Sequence, residues 1–197
     1  MNEFNTAEKQ LQNWHAWLGL ASNRGDRARL RRAESPEDIL LTGAFFHFLN
    51  KMDQAVPNWS QQMPMLTSAC IAGALSHVRI DKRTPSRIHS GKDGADAAEK
   101  IASFAEQLAT PPAGRNKAPM SELRFQQLQK SPTVDDFYRR IIRAIRLLDG
   151  NVNVVSLAND IMHWCQEFNQ PLGRHPSKRL AIRWATDYFT ALPKNKD

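Results

Sequence analysis

The sequence predicts an all-α protein: two small helical bundles, residues 1–110 and 120–197, joined by a basic, proline-containing linker. Three observations carry this reading. Apolar residues recur at three- and four-residue spacing through most of the chain, and no segment sustains the period-two alternation of a half-buried strand. Helix-start signals stand where the periodic stretches begin, as in Ser35-Pro36-Glu37-Asp38. The stretch TPPAGRNKAP at 110–119 breaks the periodicity with prolines, a glycine and basic residues, as a linker does.

Taken in order, residues 6–20 form an amphipathic helix through Leu11, Trp14 and Leu18, with Asn5 or Thr6 as its cap. Asn23 is a candidate cap for the next helix, RGDRARLRRA at 24–33. The helix opened by Ser35 carries Ile39, Leu40, Phe45, Phe46, Phe48 and Leu49. Pro57 and Pro64 bracket a loop holding Trp59. Residues 65–79 have little polar surface and are expected at the centre of the first core. Residues 79–92 form a basic loop, and a short helix follows at 94–109. The second half begins with SELRFQQL at 121–128. Thr133 caps the next helix, with Asp135 and Asp136 in its first turn, and Gly150 ends it. Helices at 154–168 and 176–192 complete the set. The run at 151–155 is the one β-like stretch and is too short for a sheet of its own.

The charge pattern points to polyanions. The chain carries 27 Lys and Arg against 20 Asp and Glu, a net charge of +7. Five arginines fall within the nine positions 24–32, offset by Asp26 alone. On a helical wheel Arg24, Arg27 and Arg31 occupy a stripe about 60° wide, while Leu30 lies elsewhere for packing. The helix at 134–149 repeats the design: Phe137, Ile141, Ala144, Ile145 and Leu148 make a core face, with Arg139, Arg143 and Arg146 opposite and Arg140 beside them. A solvated face usually mixes signs, and this one has no carboxylate between Asp136 and Asp149. Arg79, Lys82, Arg83, Arg87 and Lys92 crowd the loop 79–92 against Asp81. Guanidinium groups grip phosphate oxygens bidentately, so these stripes read as nucleic-acid backbone contacts. Arg174, Lys178, Arg179 and Arg183 form a weaker patch.

Catalytic and metal readings find little support. The six histidines form no HExxH or HxxxH pair, and neither GxxxxGK[ST] nor GxGxxG occurs. His163 and Cys165, two apart on a helix, face away from each other. Neither a cofactor nor a metal is expected. Cys70 and Cys165 make no disulfide framework and are read as buried thiols in a reducing cytoplasm. No run approaches ~18 apolar residues, so no membrane partner is expected, and the polar N-terminus lacks a secretory pattern. Trp14, Trp164 and Trp184 belong to apolar faces; Trp59 is the one candidate for stacking on a base.

The order of these elements resembles a known family. A Trp-rich first helix (NWHAWLGL) is followed by ARLRRA, SPEDILLTGAFFHFL, SACIAGALSHVR, SELRFQQLQKS, DDFYRRIIRAIRLL and a closing HW…RWATDYF. This is similar to the CasB family, the small subunit of the type I-E CRISPR surveillance complex Cascade, over nearly the whole chain. The resemblance implies an all-helical, two-domain, non-catalytic protein. Its implied partners are the other Cascade subunits with a second copy of itself, the CRISPR RNA, and the target and displaced DNA strands. It would contact the guide RNA–target DNA hybrid and the displaced strand and so hold the R-loop open. The family's basic surface maps onto Arg31 and Arg32 in ARLRRA, Arg124 in SELRF and Lys130 in QLQKS. A helical scaffold whose basic faces dock acidic proteins is the alternative reading.

Overall fold

Residues 2–88, 101–170 and 175–193 are described by the structure, a computed structural model. The fold is all-α, as the periodicity predicts. In chain order the helices are α1 (Asn2–Gly19), α2 (Arg24–Arg32), α3 (Pro36–Leu40), α4 (Gly43–Ala55), α5 (Trp59–Gln62) and α6 (Met65–His77). After a basic loop come α7 (Phe104–Ala109), α8 (Glu122–Gln129), α9 (Val134–Leu147), α10 (Val154–Asn169) and α11 (Leu180–Ala191). Two dipeptides, β1 (Ile80–Asp81) and β2 (Asn151–Val152), pair in parallel and tie the chain after α6 to the chain after α9.

Helix α6 is the axis of the molecule. It is buried from Thr67 to His77 on every face, as a helix with almost no polar surface must be. Helices α2, α3, α4, α9 and α10 pack around it. It approaches α9 closely at Gly73: a Cβ there would stand 2.9 Å from Tyr138 Cε2 and nearer still to its hydroxyl. Glycine is required there because the tyrosine ring lies directly on the α6 backbone. One hydrophobic cluster runs from Leu11 through Phe48, Ile71 and Leu108 to Ile145, Ile161 and Tyr188. Aromatic stacks lock the second half, with Phe137 on Trp164 at 3.8 Å and Phe125 on Tyr188 at 3.9 Å between ring centres. Helix α7, which precedes residues 110–119, packs most extensively on α11.

Several local expectations hold. Ser35 and Asp38 form a reciprocal capping box with Pro36 at the first position. Thr133 accepts from the Asp136 amide at 3.0 Å. Others are corrected. Asn5 and Thr6 lie inside α1, which already runs from Asn2, so neither is its cap. Asn23 makes no capping bond; its amide donates to Trp17 O at 2.8 Å instead. The loop around Trp59 contains α5, and Trp59 is buried with its indole N–H on Ser68 Oγ at 3.1 Å, so it offers no face to a base. The helix expected at 94–109 begins only at Phe104, capped by Ser103; residues 101–103 are not helical, and 94–100 lie outside the described residues, as do Lys92 and Arg174. The stretch 176–192 divides into a 3-10 turn, Pro176–Lys178, and α11.

Candidate nucleic-acid interface

The site is built where α2, α9 and the end of α6 meet. Helix α2 is held by Leu30, fully buried, while Arg24, Arg29, Arg31 and Arg32 are exposed. Arg27 turns inward. Its Nε donates to Ser76 O at 3.1 Å and its Nη2 to Val78 O at 2.6 Å. The last carbonyls of a helix lack intrahelical partners and carry partial negative charge, so a guanidinium there satisfies both needs. His15 Nε2 shares the Val78 carbonyl at 3.0 Å. Arg27 is thus a clamp between α2 and α6, with two of its five N–H donors spent within the protein.

Its neighbours are not spent. His77, in the last turn of α6, is buried with neither ring nitrogen hydrogen-bonded. Burial, then Arg31, Arg146 and Arg27, lower its pKa to about 4. Arg31 on α2 and Arg146 on α9 therefore act on one imidazole. Arg27 is itself lowered by burial, then by Arg31 and Arg79. Arg79 lies along Gly150, its Cγ only 2.8 Å from where a Cβ would stand, and its amide donates to Gly150 O at 2.7 Å. The two arginine stripes and the start of the basic loop converge on the C-terminal end of α6. Among the described residues, Arg31, Arg79 and Arg146 form no ion pair with a carboxylate.

From Arg146 the surface opens into a groove of about 450 Å³ between α8 and α9, lined by Met120, Arg124, Gln127, Leu128, Arg140, Arg143, Arg146 and Leu147. The arginine spacing on α9 follows from its strong amphipathicity: Phe137, Ile141, Ala144 and Ile145 are buried, so Arg139, Arg143 and Arg146 face outward. Arg140 is fixed across the gap by its bonds to Gln127 O and, at 3.3 Å, to Ser131 Oγ. The lining contains four guanidinium groups and no carboxylate. Leu147 also borders a second groove of about 510 Å³, walled by the linker and carrying Lys82, Arg87, Arg115 and Lys117, with Glu106 and Asp149 among its lining. Glu106 is engaged there, accepting from Ser86 Oγ at 2.7 Å and from the Arg87 amide at 2.6 Å.

Of the residues expected to contact nucleic acid, Arg31, Arg79 and Arg146 lie around the end of α6, Arg124 and Arg143 share the first groove with Arg146, and Lys82 lies in the second. Arg24, Arg32, Lys130 and Arg139 are exposed but line neither groove. Arg83 points elsewhere: it is ion-paired to Asp81 at 3.1 Å and lines a separate cavity of mixed charge with Glu8, Asp160 and Asp187. Gln127, Leu147, Arg115 and Lys117 were not singled out from sequence. For Arg115 and Lys117 the signal was present in the basic character of the linker. For Gln127 and Leu147 none was, since only the α8–α9 packing gives them a role.

Fold and site define an all-α protein with a cationic path over one end of its central helix. Residues 26–189 match the family described as CRISPR-associated protein Cse2, and the chain belongs to it. CasB and Cse2 denote the same small subunit, and membership makes this chain a component of a CRISPR Cascade complex. No curated protein and no solved structure matches it. Among the described residues no helix is long and apolar enough to cross a membrane.

Proposed function

We propose that the chain is the non-catalytic, nucleic-acid-binding small subunit of a cytoplasmic type I-E Cascade, which holds the backbone of the guide RNA–target DNA hybrid and of the displaced strand and so stabilises the R-loop. Other Cascade subunits, a second copy of the chain, the CRISPR RNA and both DNA strands are its partners. The observation that supports this reading is the placement of Arg31, Arg79 and Arg146 around the C-terminal end of α6, with no carboxylate ion pair among the described residues. Like charges brought together repel unless an anion joins them. R-loop formation exchanges one duplex for another at nearly equal stability, so a few backbone contacts decide its lifetime. Contacts to phosphate carry no base code, which suits a protein that must accept any invading sequence.

The test is binding of single-stranded DNA by the purified chain across a salt series. About four engaged phosphates give a log–log slope near −3. Reversing Arg31 and Arg146 to Glu is expected to flatten the slope and shorten R-loop lifetime in the assembled complex; an unchanged lifetime would defeat the proposal. Arg27 is unsuited to this test because its loss unclamps α6. Release of the chain from its complex by nuclease or high salt is the companion observation. Retention under both would favour docking on acidic proteins instead.

A further inference from the structure

The groove between α8 and α9 has a shape that backbone contact alone does not require. A strand can be held by an exposed stripe, yet here the arginines surround a concavity. Arg124 enters from α8, Arg143 and Arg146 from α9, and Arg140 is pinned in place by Gln127 O and Ser131 Oγ. At about 450 Å³ the space falls within the usual range for a small-ligand site, ~300–1,000 Å³. Its edge is apolar, formed by Leu147 at the end of α9. Gln127 carries an amide: it is an exposed residue of the groove's lining, and its backbone carbonyl holds Arg140. A side-chain amide supplies both donor and acceptor, the pair that a base edge presents in return.

We propose that this groove receives one whole nucleotide unit, with the phosphate on the arginines, an unstacked base against Leu147 and its edge toward Gln127. The inference rests on the nucleic-acid reading above and adds to it. The chain would not merely follow a backbone but take one base out of the stack. The unit can belong to a strand or be a free nucleotide, since the chemistry presented to the groove is the same. One glutamine amide can turn either its oxygen or its nitrogen to the base, so the site tolerates any sequence.

The experiment compares two probes of equal charge on the full-length chain by fluorescence anisotropy: a dT 12-mer and a fully abasic sugar-phosphate 12-mer. Base contact by one nucleotide is expected to make the dT strand bind about 10-fold more tightly. Gln127→Ala and Leu147→Ala should each narrow that gap. Gln127 is exposed, so its variant keeps the fold even if the Leu147 change loosens α9. Equal binding of both probes by the wild-type chain, or a gap that persists in both variants, would overturn the nucleotide pocket and leave the backbone reading intact. Binding of neither probe would remove both. With the gap present, displacement of the dT strand by millimolar dTMP, but not by inorganic phosphate, assigns the pocket to a free nucleotide as well. Displacement by competing strands alone assigns it to a nucleotide within a strand.

Discussion

Arg27 separates two jobs that arginines perform on this surface. Its hydrogen bonds close the end of α6, and charged hydrogen bonds of this kind contribute about 1.5–3 kcal/mol, less where water screens them. Arg27→Ala is expected to lower the urea midpoint clearly, whereas Arg31→Ala, at an exposed position, should leave the midpoint nearly unchanged and weaken strand binding. Two buried groups set the pH response. His77 is lowered to about 4 from 6.5, so the unfolded chain binds the proton first, and its share of stability is complete above 6.5 and lost as pH falls through 4. Asp160 is raised to about 7 by burial, against the opposing pull of Trp184 and Arg183. Its share is complete below its ordinary 3.8 and lost as pH rises through 7. Between pH 4 and 6.5 the two slopes oppose. In urea titrations Asp160→Asn should gain on the wild type from pH 5 to about 7 and level off above it; a constant difference from pH 5 to 7 would refute this assignment. Cys70 and Cys165 meet across the α6–α10 contact; the Cys165 thiol, then burial, pushes Cys70 well up while Cys70 holds Cys165 lower, and because both are buried, thiol reagents should react only on unfolding.

At the scale of the element, α6 and α9 are one unit. Gly73 lets the Tyr138 ring lie on the α6 backbone, and a methyl group there would have to displace ring atoms. Gly73→Ala is expected to cost about 1–3 kcal/mol in denaturant unfolding, as overpacking does. Helix α9 itself was legible in the sequence from cap to core face, because its period is strict and its cap local. Helix α2 was legible only in part. The wheel places Arg24, Arg27 and Arg31 together, but α2 has Leu30 as its one fully buried residue, and a small rotation about that anchor decides which arginine turns inward. The carbonyls that capture Arg27 lie 49 and 51 residues away, beyond the reach of any local pattern. Trp59 was misplaced for a related reason: the prolines around it signal a loop correctly, but its indole finds Ser68, on the following helix, and the ring is buried.

Over the whole molecule, we propose that the helices before and after residues 110–119, the first and second groups, unfold together. Helix α6 of the first group carries α9 and α10 of the second, α7 packs on α11, and Tyr188 Oη donates to Met120 O at 2.7 Å to hold the linker's end. A single coincident transition by fluorescence and circular dichroism is expected; two transitions would refute this coupling. The converging arginines have a further consequence for the free chain. Arg31 and Arg79 both act on Arg27, and Arg31 and Arg146 both act on His77, so we propose that the native form of the isolated subunit stores electrostatic tension. A polyanion that binds only the native form relieves this tension and adds its own binding free energy to stability. Heparin should therefore raise the melting temperature of the wild type, and raise it much less for the Arg31→Glu, Arg146→Glu variant. On the proposed function, the subunit is a part whose full stability arrives with assembly: alone it is poised for an anion, and the nucleic acid it would hold also completes its fold.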